Sequence, residues 1–141
     1  MTDAQQQMPP LPAVSGGIAP YLVPPNATQA ADFYVKAFGA ENAYRIPPDE
    51  QGRTMHIHLR INGNSLMLCD AYPEHGYAYE KPAGFTLHLQ VDDVDAWWAR
   101  AVEAGCEGRM PLQVMFWGDK YGAITDPYGV HWTLASTPKA G

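Results

Sequence analysis

Cysteine is scarce. Cys69 and Cys106 are the only two in 141 residues, too few for the disulfide framework of a small secreted domain. Basic charge is scarce as well: nine Lys and Arg stand against fifteen Asp and Glu, for a formal net charge of -6. With no basic run, the chain lacks the means to neutralise phosphates, which argues against a nucleic-acid partner. No apolar run approaches the roughly 18–20 residues that span a bilayer. The first seventeen residues carry neither a basic leader nor an apolar segment, so no secretory signal is expected there. No glycine-rich loop has phosphate-binding spacing; the run Trp117-Gly118-Asp119-Lys120-Tyr121-Gly122 does not match it. These absences lead to the expectation of a soluble, reduced, cytoplasmic protein with no membrane or nucleic-acid partner.

What is present suits a packed core. Apolar residues make up 46% and aromatics 11%, enough for one ordinary domain or two small modules sharing a core. Residues 1–17, with Gln5-Gln6-Gln7, Pro9, Pro10, Pro12 and Gly16-Gly17, read as a flexible N-terminal tail. A strand over 18–23 is closed by Pro24-Pro25. Asn26 or Thr28 then caps a helix whose stripe is Ala30, Phe33, Tyr34, Ala37 and Phe38, stopped by Gly39. Strands follow over 42–46, 54–61 and 65–70, the last two joined by Asn62-Gly63-Asn64, a hairpin turn. The second half repeats this order. Phe85, Leu87, Leu89 and Val91 alternate with Thr86, His88 and Gln90. Asp92 or Asp93 caps a helix with the stripe Val94, Trp97, Trp98, Ala101 and Val102, stopped by Gly105. Strands over 112–117, 122–125 and 131–135 complete it, with a turn at Asp126-Pro127-Tyr128-Gly129. The expectation is an α+β chain of two strand-helix-strand-strand-strand (βαβββ) modules, 18–70 and 85–136. A linker or flap over 71–84 joins them and a short tail follows over 137–141.

The segments "PYLVPPNATQAADFYVKAFGAE", "GRTMHIHLRING", "VDDVDAWWARAVEAG" and "FWGDKYGAITDPYGVHW", in that order, resemble the vicinal oxygen chelate superfamily, also called glyoxalase/bleomycin resistance/dioxygenase. Within it they are most similar to the PhnB-like branch. The resemblance implies curved sheets enclosing a cleft between two βαβββ modules, and a homodimer. It also implies a small-molecule ligand, whether turned over or merely sequestered. Metal-dependent relatives hold a divalent ion on the first and last strands of each module. Carried onto this chain, those positions fall at Ala19, Met67, Thr86 and Thr133, none an ordinary ligand for such an ion. No metal or other cofactor is therefore expected at the usual place, which weighs against isomerisation or ring cleavage by a Lewis-acid ion.

Strand alternation supplies the other candidates. Met55, Ile57, Leu59 and Ile61 take one face and His56, His58 and Arg60 the other; His88 shares a face with Thr86, and His131 with Thr133. One reading is a relocated metal site or a histidine base built from His56, His58 and His88. The other is a binding cleft whose imidazoles are ordinary hydrogen-bonded donors. Tyr21, Met67, Gln90, Trp117, Tyr121, His131 and Thr133 join His56, His58, Thr86 and His88 as candidate ligand contacts. Cys69 and Cys106 read as small buried hydrophobes, Asp70 and Glu74 as exposed turn residues, and Asp119 with Lys120 as a local pair. The balance favours binding; aromatic walls suit a planar or amphipathic ligand, and the acidic net charge favours a cationic one.

Overall fold

A computed structural model describes residues 11–139; residues 1–10 and 140–141, parts of the two expected tails, lie outside the described residues. The elements are β1 (Tyr21–Leu22), α1 (Ala27–Phe38), β2 (Glu41–Arg45), β3 (Ile57–Ile61), β4 (Asn64–Leu68), β5 (Leu87–Gln90), α2 (Val94–Ala104), β6 (Glu107–Val114), β7 (Lys120–Thr125) and β8 (His131–Ser136). A 3-10 turn at Pro73–His75 lies between β4 and β5. The order is βαβββ twice, as the sequence predicts. Each module is a four-stranded mixed sheet, β1-β4-β3-β2 and β5-β8-β7-β6, in which the first strand runs parallel to the last.

Local chemistry sets the helix ends. The Asn26 side chain accepts from the Gln29 N–H, and Gly39 closes α1 in the left-handed region. Asp93 does the same service for α2. The hairpin turn between β3 and β4 puts both Asn62 and Gly63 at positive φ, the geometry that favours Asn-Gly. Several strands are shorter than the alternation suggests. β1 shrinks to Tyr21–Leu22 because Gly16 to Ile18 swing out of line, leaving Ile18 almost fully exposed. β3 begins at Ile57, so Met55 is 68% exposed rather than in the core. β6 ends at Val114; Trp117 therefore sits in the turn that Asp119 closes by accepting the Met115 N–H, not in a strand.

The two helices pack on each other, and one core crosses both modules. Phe38 of α1 meets Trp132 of β8 with ring centroids 4.6 Å apart, and Tyr34 packs against the same indole. Arg100 of α2 donates to the Ala37 carbonyl of α1. The β1 and β5 edges come near each other: Leu22 and Phe85 line one cavity, Pro20 and Leu87–Gln90 another. The Asn62 side chain ties the seam by donating to the Gln90 carbonyl. Two readings of the charged residues change. Asp70 is buried and accepts from the Ala27 and Thr54 N–H groups, tying β4 to the start of α1. Lys120 pairs with Asp95 at 2.7 Å, not with Asp119.

Candidate functional site

Each sheet turns one face to the helices and leaves the other open. On the open face of the first sheet the Tyr21 hydroxyl lies 2.8 Å from Nδ1 of His56, with the Tyr44 ring beside the imidazole. Burial first, and Cys69 next to it, push the Tyr21 phenol up, so it stays protonated. When it donates to His56 Nδ1, the imidazole proton sits on Nε2. Met67 stands beside Tyr21 in the parallel register and opposite His58 in the antiparallel one. His58 projects from the expected face yet is 2% exposed; its Nε2 bonds the Ser65 hydroxyl at 2.7 Å, the same hydroxyl that accepts the Ser15 N–H.

On the second sheet both ring nitrogens of His88 are held, one by the neighbouring strand β8 and one by Gln90 of its own strand. Nδ1 lies 2.7 Å from Thr133 Oγ1 and Nε2 lies 2.9 Å from Gln90 Oε1; the Gln90 amide then donates to Thr137. An imidazole bonded at both nitrogens is a fixed flat surface, with no lone pair left for a metal. Tyr121 stacks near it, with centroids 6.1 Å apart and planes 21° apart. Trp117 meets Tyr121 edge-on at 5.7 Å, and Phe116 meets Trp117 edge-on at 4.9 Å. The wall is open: Trp117 is 50% exposed and Phe116 97%. Thr86 continues the same face just before β5, and His131 bonds Thr125 through Nδ1. His88 and Gln90 also border a cavity of about 300 Å3, whose far side is Pro20, Asn64, Ser65 and Leu66 of the first module.

The structure does not assemble His56, His58 and His88. Among the described residues no three His, Cys, Asp or Glu side chains come together as a metal site. Nor does the family's usual position fit an ion. Ala19 offers no donor, Met67 only a thioether, and the Thr133 hydroxyl is committed to His88. No thiol is poised for attack either: burial pushes Cys69 up and Cys106 to about 12. Glu74 is an exposed residue, as expected, but Arg53 holds its carboxyl down near about 2. Sequence reasoning missed Tyr44, Ser65 and Phe116. Alternation along β2 and β4 could have found the first two; Phe116 stands in a turn, where no period applies.

Burial lowers the His58 pKa, chiefly, with the Arg60 and His56 charges adding to the effect. The sign follows directly. Folding favours the neutral ring, so its contribution is complete above the ordinary value of 6.5 and is lost as pH falls through the lowered folded value. Urea midpoints measured between about pH 8 and pH 5 should therefore fall at the acid end. A His58→Gln protein should show a flatter profile; an equally steep one would exonerate His58.

Comparison with known proteins agrees with this architecture. The family model described as glyoxalase/bleomycin resistance protein/dioxygenase superfamily matches residues 18–134. An uncharacterised protein of Mycobacterium bovis is 43% identical over 128 residues, covering 86% of this chain and 83% of that one. The crystal structure of protein PA1353 from Pseudomonas aeruginosa superposes with a TM-score of 0.72 at 29% identity, covering 89% of this chain and all, 100%, of the other. A PhnB protein from Bacillus cereus superposes with a TM-score of 0.67 at 23% identity, over 86% and 100% of the two chains, a likeness of fold alone. Two βαβββ modules on one core, carrying the family's segments in order along nearly the whole chain, leave one assignment: the chain belongs to the glyoxalase/bleomycin resistance protein/dioxygenase superfamily.

Proposed function

We propose that the protein binds a small, flat, cationic or amphipathic organic molecule, and does so without a metal ion. The observation that carries this reading is the exposed aromatic series of His88, Tyr121 and Trp117, in which the imidazole is fixed by its bonds to Thr133 and Gln90 and the Trp117 indole stands edge-on to Tyr121. Stacking surface of this kind is costly to leave in water and suits a planar ring. The cavity beside His88 is also bordered by the exposed Asn64 side chain, which is available to a polar group of the ligand. The net charge of -6 draws cations from a distance, an effect that salt weakens. A homodimer belongs to the same reading: Val114 and Phe116, 72% and 97% exposed, give an apolar edge that a second copy would cover.

Calorimetric titration with acriflavine, a planar aromatic cation, tests the site. 1-Naphthalenesulfonate serves as the anionic comparison, and light scattering on the same samples gives the mass. Saturable binding of the cation, weaker at high salt and stronger than that of the anion, is the expected result. Absence of saturable heat with both probes would remove the reading.

A further inference from the structure

The chain just before β1 does something the fold does not require. Ser15 takes the place next to β4 that a straight first strand would give to Ile18: the Ser15 carbonyl accepts the Ser65 N–H, and the Ser15 N–H donates to the Ser65 hydroxyl. From there the chain passes over the open face of the first sheet, where the Arg60 guanidinium donates to the Ala13 carbonyl at 2.8 Å. Beneath it lies His58, 2% exposed on a face that alternation alone would leave open. On the second sheet the corresponding position is Ala123, which faces Thr133 as His58 faces Met67, and it is half-buried.

We infer that residues 11–15 are a strap that lifts from the first sheet as a unit and controls access to His58, Arg60 and Ser65. The inference stands whether or not the aromatic wall of the second sheet binds a ligand. Among the described residues three hydrogen bonds hold the strap: two between Ser15 and Ser65, and one from Arg60 to Ala13. Its apolar side chains face water, Leu11 at 64% and Val14 at 51% exposure, so its removal uncovers little apolar surface. A hinge is already in place. Gly16 sits at φ +94, a conformation that side chains rarely adopt, and Gly17 and the exposed Ile18 complete the bend between the strap and β1. The strap covers a ring that burial keeps neutral, so accessibility and not protonation limits the reactivity of His58.

The experiment is acylation of the full chain by diethyl pyrocarbonate, read residue by residue by mass spectrometry. Exposed His75 serves as the reference, and amide exchange is followed at Leu59 and Leu134. Two variants loosen the strap from opposite sides. Arg60→Ala removes the donor to Ala13, and Ser15→Pro removes the N–H given to the Ser65 hydroxyl while keeping the Ser15 carbonyl that accepts the Ser65 N–H. In the unaltered protein His58 should react at least about tenfold more slowly than His75. Each variant should bring it to within about threefold of His75, with Leu59 and Leu134 still protected. The strap is overturned if His58 of the unaltered protein reacts as fast as His75, or if both variants leave it slow. It is equally overturned if protection at Leu59 and Leu134 collapses with the change, since the opening would then be global.

Discussion

An Asp126→Ala protein should lose about 3–5 kcal/mol of stability, a large share of what a domain of this size possesses. Asp126 is 4% exposed and takes donors on both carboxylate oxygens. Oδ1 accepts the N–H groups of Tyr128 and Val130 and so shapes the turn between β7 and β8. Oδ2 accepts the Tyr34 hydroxyl from α1 and the Trp132 indole N–H from β8 at 2.9 Å. One carboxylate therefore joins the helix of the first module to the sheet of the second. Burial, and then the facing carboxylate, hold the Tyr34 phenol far above its usual range, so it keeps the proton it donates to Asp126. Alanine would strand the Tyr34, Val130 and Trp132 donors, whose bonds are buried, without an acceptor. Tyr34→Phe removes one donor and leaves the others satisfied, so it should cost much less, about 1 kcal/mol. Urea unfolding followed by tryptophan fluorescence measures both. A loss below about 1 kcal/mol for Asp126→Ala would show that the turn and the inter-module contact stand without it.

Trp117→Ala should weaken acriflavine binding at least about tenfold while leaving the melting temperature nearly unchanged. The second half of that statement follows from the 50% exposure of Trp117 in a turn, where truncation opens no cavity in the core. The first half follows from its position at the end of the His88–Tyr121–Trp117 series, where the indole supplies the largest flat surface. Trp97→Phe is the control, because Trp97 lies on α2 under the Arg100 guanidinium and faces neither open sheet. Unchanged affinity in Trp117→Ala would move the ligand away from this wall. A similar loss in Trp97→Phe would mean that the binding signal reports stability instead.

The helices and the order of elements were legible because each rests on neighbours in the chain. The stripe Ala30, Tyr34, Ala37 and Phe38 is buried as its spacing demands, Asn26 caps as its side chain predicts, and Gly39 stops α1 in the left-handed region. The open-face side chains Tyr21, His56, Met67, His88 and Thr133 were legible for the same reason, since a two-residue period assigns each to a face; Tyr121 fell just before the expected strand 122–125, and no period placed it. Strand ends were less legible. Register with a distant partner, and the excursion at Gly16 to Ile18, decide whether a residue joins a ladder, and neither is encoded locally. Asp70 read as a surface turn residue because nothing adjacent to it reveals Ala27 and Thr54, the distant donors that bury it.

The sequence by itself determined the class of fold, the duplication, the faces and the absence of ordinary ligands at the family's metal positions. All of these depend on residue type and short-range period. Only the tertiary structure decided which side chains meet. It occupied both nitrogens of His88, covered His58 with a segment whose anchors Arg60 and Ser65 lie far along the chain, and separated three histidines that alternation had placed on like faces. Period states which way a side chain points from its own strand; the packing of strands from two modules states what stands opposite it.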